Sequence, residues 1–173
     1  MKISKTAIFI MLCLTVGTMT ESLAQSTSPD KMISFMRDKG DALAFTLPGW
    51  LVRLAGNIAD NNLEDTEREM VQELTHHIKK IRFAVSESVP SEYGSKLKAM
   101  VNYLNEHKYE PLVEVRDGDT NVNIWGLFDG DIIKRLIIST VEEGDNMALF
   151  NIKSDIDMAR LQGMSFFKEL KAK

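Results

Sequence analysis

The run from Pro111 to Lys153 limits what this chain can fold into more than any other part of it. Apolar alternations there are separated by three turn signals, Asp117-Gly118, Asp129-Gly130 and Glu143-Gly144. Asp-Gly between alternating apolar residues favours a tight hairpin, because Gly reaches the positive φ of the turn without a Cβ clash. Three such signals in succession predict four strands joined as an antiparallel meander.

If each of these pairs is the centre of a two-residue turn, the register is set. Val115 then faces Thr120 and Val113 faces Val122. Leu127 faces Ile132, Trp125 faces Lys134, Ile138 faces Leu149 and Ile137 faces Phe150. Side chains alternate between faces along a strand, so two surfaces follow. One holds Val113, Val115, Val122, Ile124, Ile133, Ile137, Phe150 and Ile152, interrupted centrally only by Arg135. Its composition predicts that the helices cover it. The other holds Trp125, Leu127, Ile132, Leu136, Ile138, Met147 and Leu149 among polar residues that include Asn123 and Lys134. A solvated sheet face is mostly polar, so this apolar cluster needs a reason. Either a terminal helix lies over it, giving a three-layer domain, or it is a surface for a partner or ligand. On the second reading Trp125, Leu127, Lys134 and Asn123 are the candidate binding residues. An exposed cation–π pair between Trp125 and Lys134, worth under about 1 kcal/mol, would also account for two of them.

The rest of the chain supplies helices and further strands. Met32, Ile33 and Met36 share a helical face after Asp30, a candidate N-cap, and Gly40 ends that helix. Ala42 to Thr46 reads as a short strand. Pro48 suits the first turn of a helix with Trp50, Leu51, Leu54, Ala55 and Ile58 on one face. Leu63 to Lys79 is helical, striped by Met70, Val71, Leu74 and Ile78. Ile81, Phe83 and Val85 alternate with Arg82, Ala84 and Ser86, as in a half-buried strand. Pro90-Ser91 opens a helix that buries Leu97, Met100, Val101 and Leu104, and a short helix is expected after Asp155. The predicted fold class is α+β. A mainly antiparallel sheet combines the C-terminal four-strand meander with one or two N-terminal strands, and helices pack on one face.

Residues 1–24 read as a secretory signal peptide: Lys2 and Lys5, an apolar run from Thr6 to Met19, then Ser22-Leu23-Ala24 before Gln25. Residues 25–29 follow as a flexible leader, 30–162 as a single domain and 163–173 as a C-terminal tail. Cys13, the one cysteine, leaves with the signal, so the mature chain has no disulfide. The expected location is the periplasm or the exterior, with no membrane anchor after cleavage. Cleavage removes two lysines and one glutamate, so 21 basic and 25 acidic residues become 19 and 24, and the charge goes from −4 to −5. A mildly acidic chain without a basic run argues against nucleic acid and anionic membrane surfaces. The expected partner is a protein or a small molecule, a second copy of the chain included.

No local motif carries a reaction. His76 and His77 are adjacent and diverge on a helix, and no His or Cys spacing begins a zinc site. Asp117 to Asn121 starts like a calcium loop, but Val122 stands where that loop needs Gly and Phe128 where it needs Glu. There is no nucleophile elbow, phosphate loop or dinucleotide motif. No catalytic, metal or cofactor residue is assigned. The favoured reading is a non-enzymatic binding or interaction protein using the open sheet face. A small enzyme with a dispersed site and a cell-envelope accessory or stress factor are the alternatives.

The order of these pieces also resembles a known family. The segments Pro111-Leu-Val-Glu-Val-Arg-Asp-Gly-Asp, Val122-Asn-Ile-Trp, Ile132-Ile-Lys-Arg-Leu-Ile-Ile, Met147-Ala-Leu-Phe-Asn-Ile-Lys and Ile156-Asp-Met-Ala-Arg-Leu carry the likeness. They are similar to small exported proteins of Bacteroidota-type bacteria classed as a domain of unknown function. The resemblance spans about residues 30–162. Members often carry a lipidated Cys, whereas this chain ends its signal at Ala24. The likeness implies export and this strand order, and it brings no activity and no site residues.

Overall fold

The computed structural model describes residues 26–39, 42–59, 65–142 and 146–159. The expected signal peptide and the C-terminal tail lie outside the described residues. Along the chain come α1 (Pro29–Asp38), β1 (Ala42–Pro48), α2 (Gly49–Ala59), α3 (Asp65–His77), β2 (Ile78–Ser86), α4 (Ser91–Glu106), β3 (Glu110–Asp117), β4 (Thr120–Asp129), β5 (Ile132–Glu142) and β6 (Met147–Asp157). The strands form one antiparallel sheet in the order β1-β2-β6-β5-β4-β3. The meander therefore pairs in sequence, and β6 extends it by taking β2, which carries β1. This is the α+β architecture expected from the sequence. The two edge strands, β1 and β3, each contain a proline, Pro48 and Pro111, where a missing ladder donor is tolerated.

Helix α1 begins earlier than expected. Ser28, not Asp30, is its cap: the Ser28 Oγ accepts from the Lys31 N–H at 3.3 Å, and Pro29 occupies the first turn. Asp30 is thereby released to reach the sheet. The helix expected after Asp155 begins later, since β6 runs on to Asp157; Met158 and Ala159 are helical, and the residues after them lie outside the described residues. Ile156 pairs with Ile133, and both are buried in a small cluster with Leu74, Phe128, Leu136 and Met158.

The turns sit one residue later than the register assumed. Gly118 (φ 56°) and Gly130 (φ 59°) are the first residues of two-residue loops, so Asp117 pairs with Thr120 and Val115 with Val122. Between β4 and β5 a bulge at Leu127/Phe128 changes the pairing again. Trp125 faces Ile137 rather than Lys134, and Leu127 faces Arg135. A single inserted residue moves a strand's side chains to the opposite face. Strand β5 therefore places Leu136 and Ile138 beside Val113 and Val115, and turns Ile137 and Arg135 toward the Trp125 side.

Helices α1 and α4 cover the opposite face from the one predicted. Met32, Ile33 and Met36 of α1 and Tyr93, Met100 and Leu104 of α4 pack on Ala84, Trp125, Ile137, Met147 and Leu149. The reason is volume. Ala42, Ala44, Ala84, Ser86 and Ser139 give this side of the sheet a low surface, on which helices bearing Met, Tyr and Leu can settle at close-packed density. The Val/Ile/Phe side is less covered: its edges are exposed, with Leu43 70%, Phe45 53% and Val115 50%, and its centre, with Phe83, Phe150 and Ile138, is half-buried.

Near the end of β6, Lys79 and Lys134 both bond the Asp155 carboxylate, Lys134 Nζ donating at 3.0 Å. These bonds, that of Lys79 foremost, hold the Asp155 carboxyl below the ordinary carboxylate range. A depressed carboxylate pKa stabilises the fold above the unfolded value and loses that contribution as pH falls through the folded one. The melting-temperature gap between wild type and Asp155→Asn is therefore expected to be open at pH 6 and to narrow below about pH 4. Thermal melts across that range check it; a gap that widens in acid contradicts it.

Candidate functional site

One end of the helix-covered face is cationic. Lys80, Lys153 and Arg135 are direct cross-strand partners on β2, β6 and β5, which puts three positive side chains in one row. Arg82 and Asn151 pair in the next row inward. Like charges set directly opposite one another are destabilising. The carboxylate that answers them is Asp30, delivered by the first turn of α1. Arg82 Nη1 donates to Asp30 Oδ1 at 2.6 Å, and Arg135 Nη1 lies 3.8 Å from Asp30 Oδ2. Neither Lys80 nor Lys153 has an ion-pair partner among the described residues.

These six residues enclose a cavity of about 160 Å3. Asn151 lines it from the central strand. It is only 5% exposed, and its amide oxygen has no hydrogen-bond partner. A second cavity, about 290 Å3, shares Asp30 and Arg135 and is walled by Tyr103, His107, Tyr109 and Leu127. The His107 ring stacks on Tyr103 with centroids 3.8 Å apart, and its Nδ1 lies 2.8 Å from the Tyr103 carbonyl. Burial pushes the Tyr109 hydroxyl above its ordinary pKa, with Arg135 opposing, so Tyr109 is a neutral donor and acceptor at physiological pH. A third groove, about 450 Å3, follows the flank of α1 past Lys31, Asp38 and Lys39. Those three side chains are exposed, and the groove reaches the held charge only where it shares the Asp30–Arg82 pair with the first cavity.

The residues singled out from the sequence scatter. Trp125, 7% exposed, lies in the core beneath α1 and α4. Asn123 is half-buried on the same face, opposite Ser139. Leu127 reaches the wall of the second cavity. Lys134 is bonded to Asp155 and does not face Trp125. Sequence reasoning missed Asp30, Lys80, Arg82, Asn151 and Lys153 as neighbours. It noticed Arg135 only as a charge interrupting an apolar face, and that misfit was the one local sign of the site.

The uncovered face is a second feature. Its side chains form cross-strand rows: Leu43–Val85–Ala148–Thr140–Val122–Val115, then Phe45–Phe83–Phe150–Ile138–Ile124–Val113, then Leu47–Ile81–Ile152–Leu136–Gly126. None of these residues is charged. Phe83 lies between Phe45 and Phe150, with ring centroids 5.7 and 5.6 Å away. Helix α3 meets the Leu136 end through Leu74. Helix α2 adds Trp50, Leu54 and Ile58, all exposed and at helical spacing.

Among the described residues no group of three His, Cys, Asp or Glu side chains is placed to hold a metal ion, and no helix is long and apolar enough to cross a membrane. No curated protein and no solved structure matches the chain. The model of a protein family described as "Domain of unknown function (DUF4252)" matches residues 35–164, which take in the end of α1, every strand, the apolar rows and the four cations but not Asp30, and the chain belongs to that family.

Proposed function

We propose that this chain is an exported, non-enzymatic interaction protein of Bacteroidota-type bacteria, working through the uncovered apolar face of its sheet. Export rests on the signal-peptide pattern of residues 1–24. The observation that carries the reading is the set of uncharged cross-strand rows from Leu43 to Val115. A contiguous apolar surface of that extent on a folded domain in water marks a contact surface. Six strands about 4.8 Å apart and three rows about 7 Å apart outline a patch of roughly 500 Å2 before side-chain relief is counted. Stable interfaces use about 800 Å2 per partner, so the patch supplies most of one.

The partner that fits is an apolar protein surface, and a second copy of the chain provides it. Two sheets stack about 10 Å apart with interdigitating side chains. The three rows bring no like charges together at the centre of the face; its acidic residues, Glu110, Asp117 and Glu142, lie at the rim. Phe45→Asp combined with Val113→Asp tests this at two exposed positions that hold no core. Wild type is expected to self-associate in sedimentation experiments at micromolar concentration, and the variant to be monomeric with an unchanged melting temperature. A wild type that stays monomeric to about 100 µM, and binds apolar dye no better than the variant, sinks the reading.

A further inference from the structure

The cationic end of the covered face lies on the other side of the sheet from that interaction surface and calls for a different ligand. We propose that the cavity among Asp30, Lys80, Arg82, Arg135, Asn151 and Lys153 binds a small oxyanion that itself carries a hydrogen-bond donor, such as a phosphate or a hydroxycarboxylate.

Charge is the first argument. Four cations converge on one carboxylate. Asp30 holds the two arginines in place, through the 2.6 Å bond to Arg82 and the 3.8 Å approach to Arg135. Held there, they stay close to Lys80 and Lys153, which share the cross-strand row of Arg135 and lie one row from Arg82. An anion between the lysines and the arginines converts their mutual repulsion into attraction, with charge-assisted bonds as the gain. Helix α1 begins at this point, with Ser28, Pro29 and Asp30 lining the adjoining cavity, so the positive end of its dipole reinforces the field.

Asn151 is the second and independent argument. The residue lines the cavity, and its amide oxygen is buried and unpartnered. A buried acceptor left unpaired is costly, and native folds rarely keep one without use. None of the surrounding cations bonds it, so the donor it lacks is supplied by the ligand. The neighbouring cavity then takes the rest of the molecule. Its walls set the Tyr103–His107 stack, Tyr109 and Leu127 beside the polar Ser28 and Arg135, an even mixture suited to a ring or a short carbon skeleton that carries polar groups. The two cavities adjoin through Asp30 and Arg135, and only together do they reach the size usual for small-molecule sites.

Thermal melts of the chain in inorganic phosphate, sulfate or glycolate, each matched in ionic strength with chloride, test the proposal. Phosphate at tenfold its Kd is expected to raise the melting temperature by about 4 °C. Lys80→Ala combined with Lys153→Ala should remove most of that rise; both side chains are exposed, so the fold survives the change. Arg37→Ala combined with Lys98→Ala removes the same charge outside the cavity and should leave the rise intact. No rise beyond chloride, or a rise that persists in the Lys80/Lys153 variant, overturns the site. Sulfate carries no donor at neutral pH and should act more weakly; an equal response to sulfate and phosphate overturns the role given to Asn151. A larger response to phosphate than to glycolate assigns a phosphate head group, and the reverse assigns a carboxylate. Neither result depends on how the Phe45 and Val113 substitutions behave.

Discussion

Trp125→Ala is expected to destabilise the fold by about 3–5 kcal/mol, the range for truncating a buried Trp or Phe. Against a total stability of roughly 5–15 kcal/mol, that is enough to unfold a substantial share of the molecules at elevated temperature. Trp125 is 7% exposed and packs in the cluster that joins α1 and α4 to the sheet. Its loss leaves a void that helices seated on Ala and Ser side chains cannot collapse to fill. Urea unfolding gives the number. Fluorescence gives an independent check, because Trp50, the other tryptophan, is largely exposed. In a Trp50→Phe background the remaining emission should be blue-shifted in the native state and move red on unfolding. By contrast, Phe45→Ala on the uncovered face should cost under about 1 kcal/mol. If Trp125→Ala proved as mild as Phe45→Ala, the assignment of core to this face would fail.

That contrast also marks where the sequence could be read and where it could not. The existence, kind and order of the elements followed from local signals: apolar periodicity in the helices, alternation in β2, and glycine-centred turns in the meander. Those signals act over a few residues, and tertiary packing did not override them. Which face the helices cover is a different kind of fact. Alternation says that one set of side chains is more apolar, and the more apolar set was assigned to the core. Burial went instead to the side whose small residues, Ala42, Ala44, Ala84, Ser86 and Ser139, admit a helix, which is a property of volume summed over three strands. The bulge at Leu127/Phe128 has no sequence marker of its own, yet it decides that Arg135 joins Lys153 and Lys80 instead of Val113 and Ile124. The cationic site was hidden for the same reason. Its residues come from α1, β2, β5 and β6, and only pairing registers separated by long loops bring them together. Asp30 illustrates the point: read locally it is a helix cap, but with Ser28 as cap its carboxylate spans two arginines on nonadjacent strands.

Gly49→Ala is the second change expected to have a large effect, at about 3 kcal/mol of lost stability. A Cβ at this position would lie 2.5 Å from the Ile78 carbonyl oxygen and 2.8 Å from that of Lys79. Both obstacles are backbone, so no side-chain rotation relieves the overlap. They also lie where β2 is irregular, between Ile78 and Lys80, and where the β1–β2 ladder ends at Pro48–Lys80. Helix α2 leaves the sheet at this crossing and must pass against the start of β2 to do so. The same chemical change at Gly94 should act with the opposite sign. Gly94 lies within α4, and a Cβ there meets nothing within 4 Å. Gly94→Ala should stabilise by up to about 1 kcal/mol, through the lower backbone entropy of the unfolded chain and better helix propensity. Paired urea melts of the two variants therefore separate close approach from propensity, since propensity alone predicts that both alanines stabilise. Gly49→Ala should also weaken the phosphate response, because pushing the start of β2 outward shifts Lys80 relative to Lys153 and Arg135, whereas Gly94→Ala should leave that response unchanged.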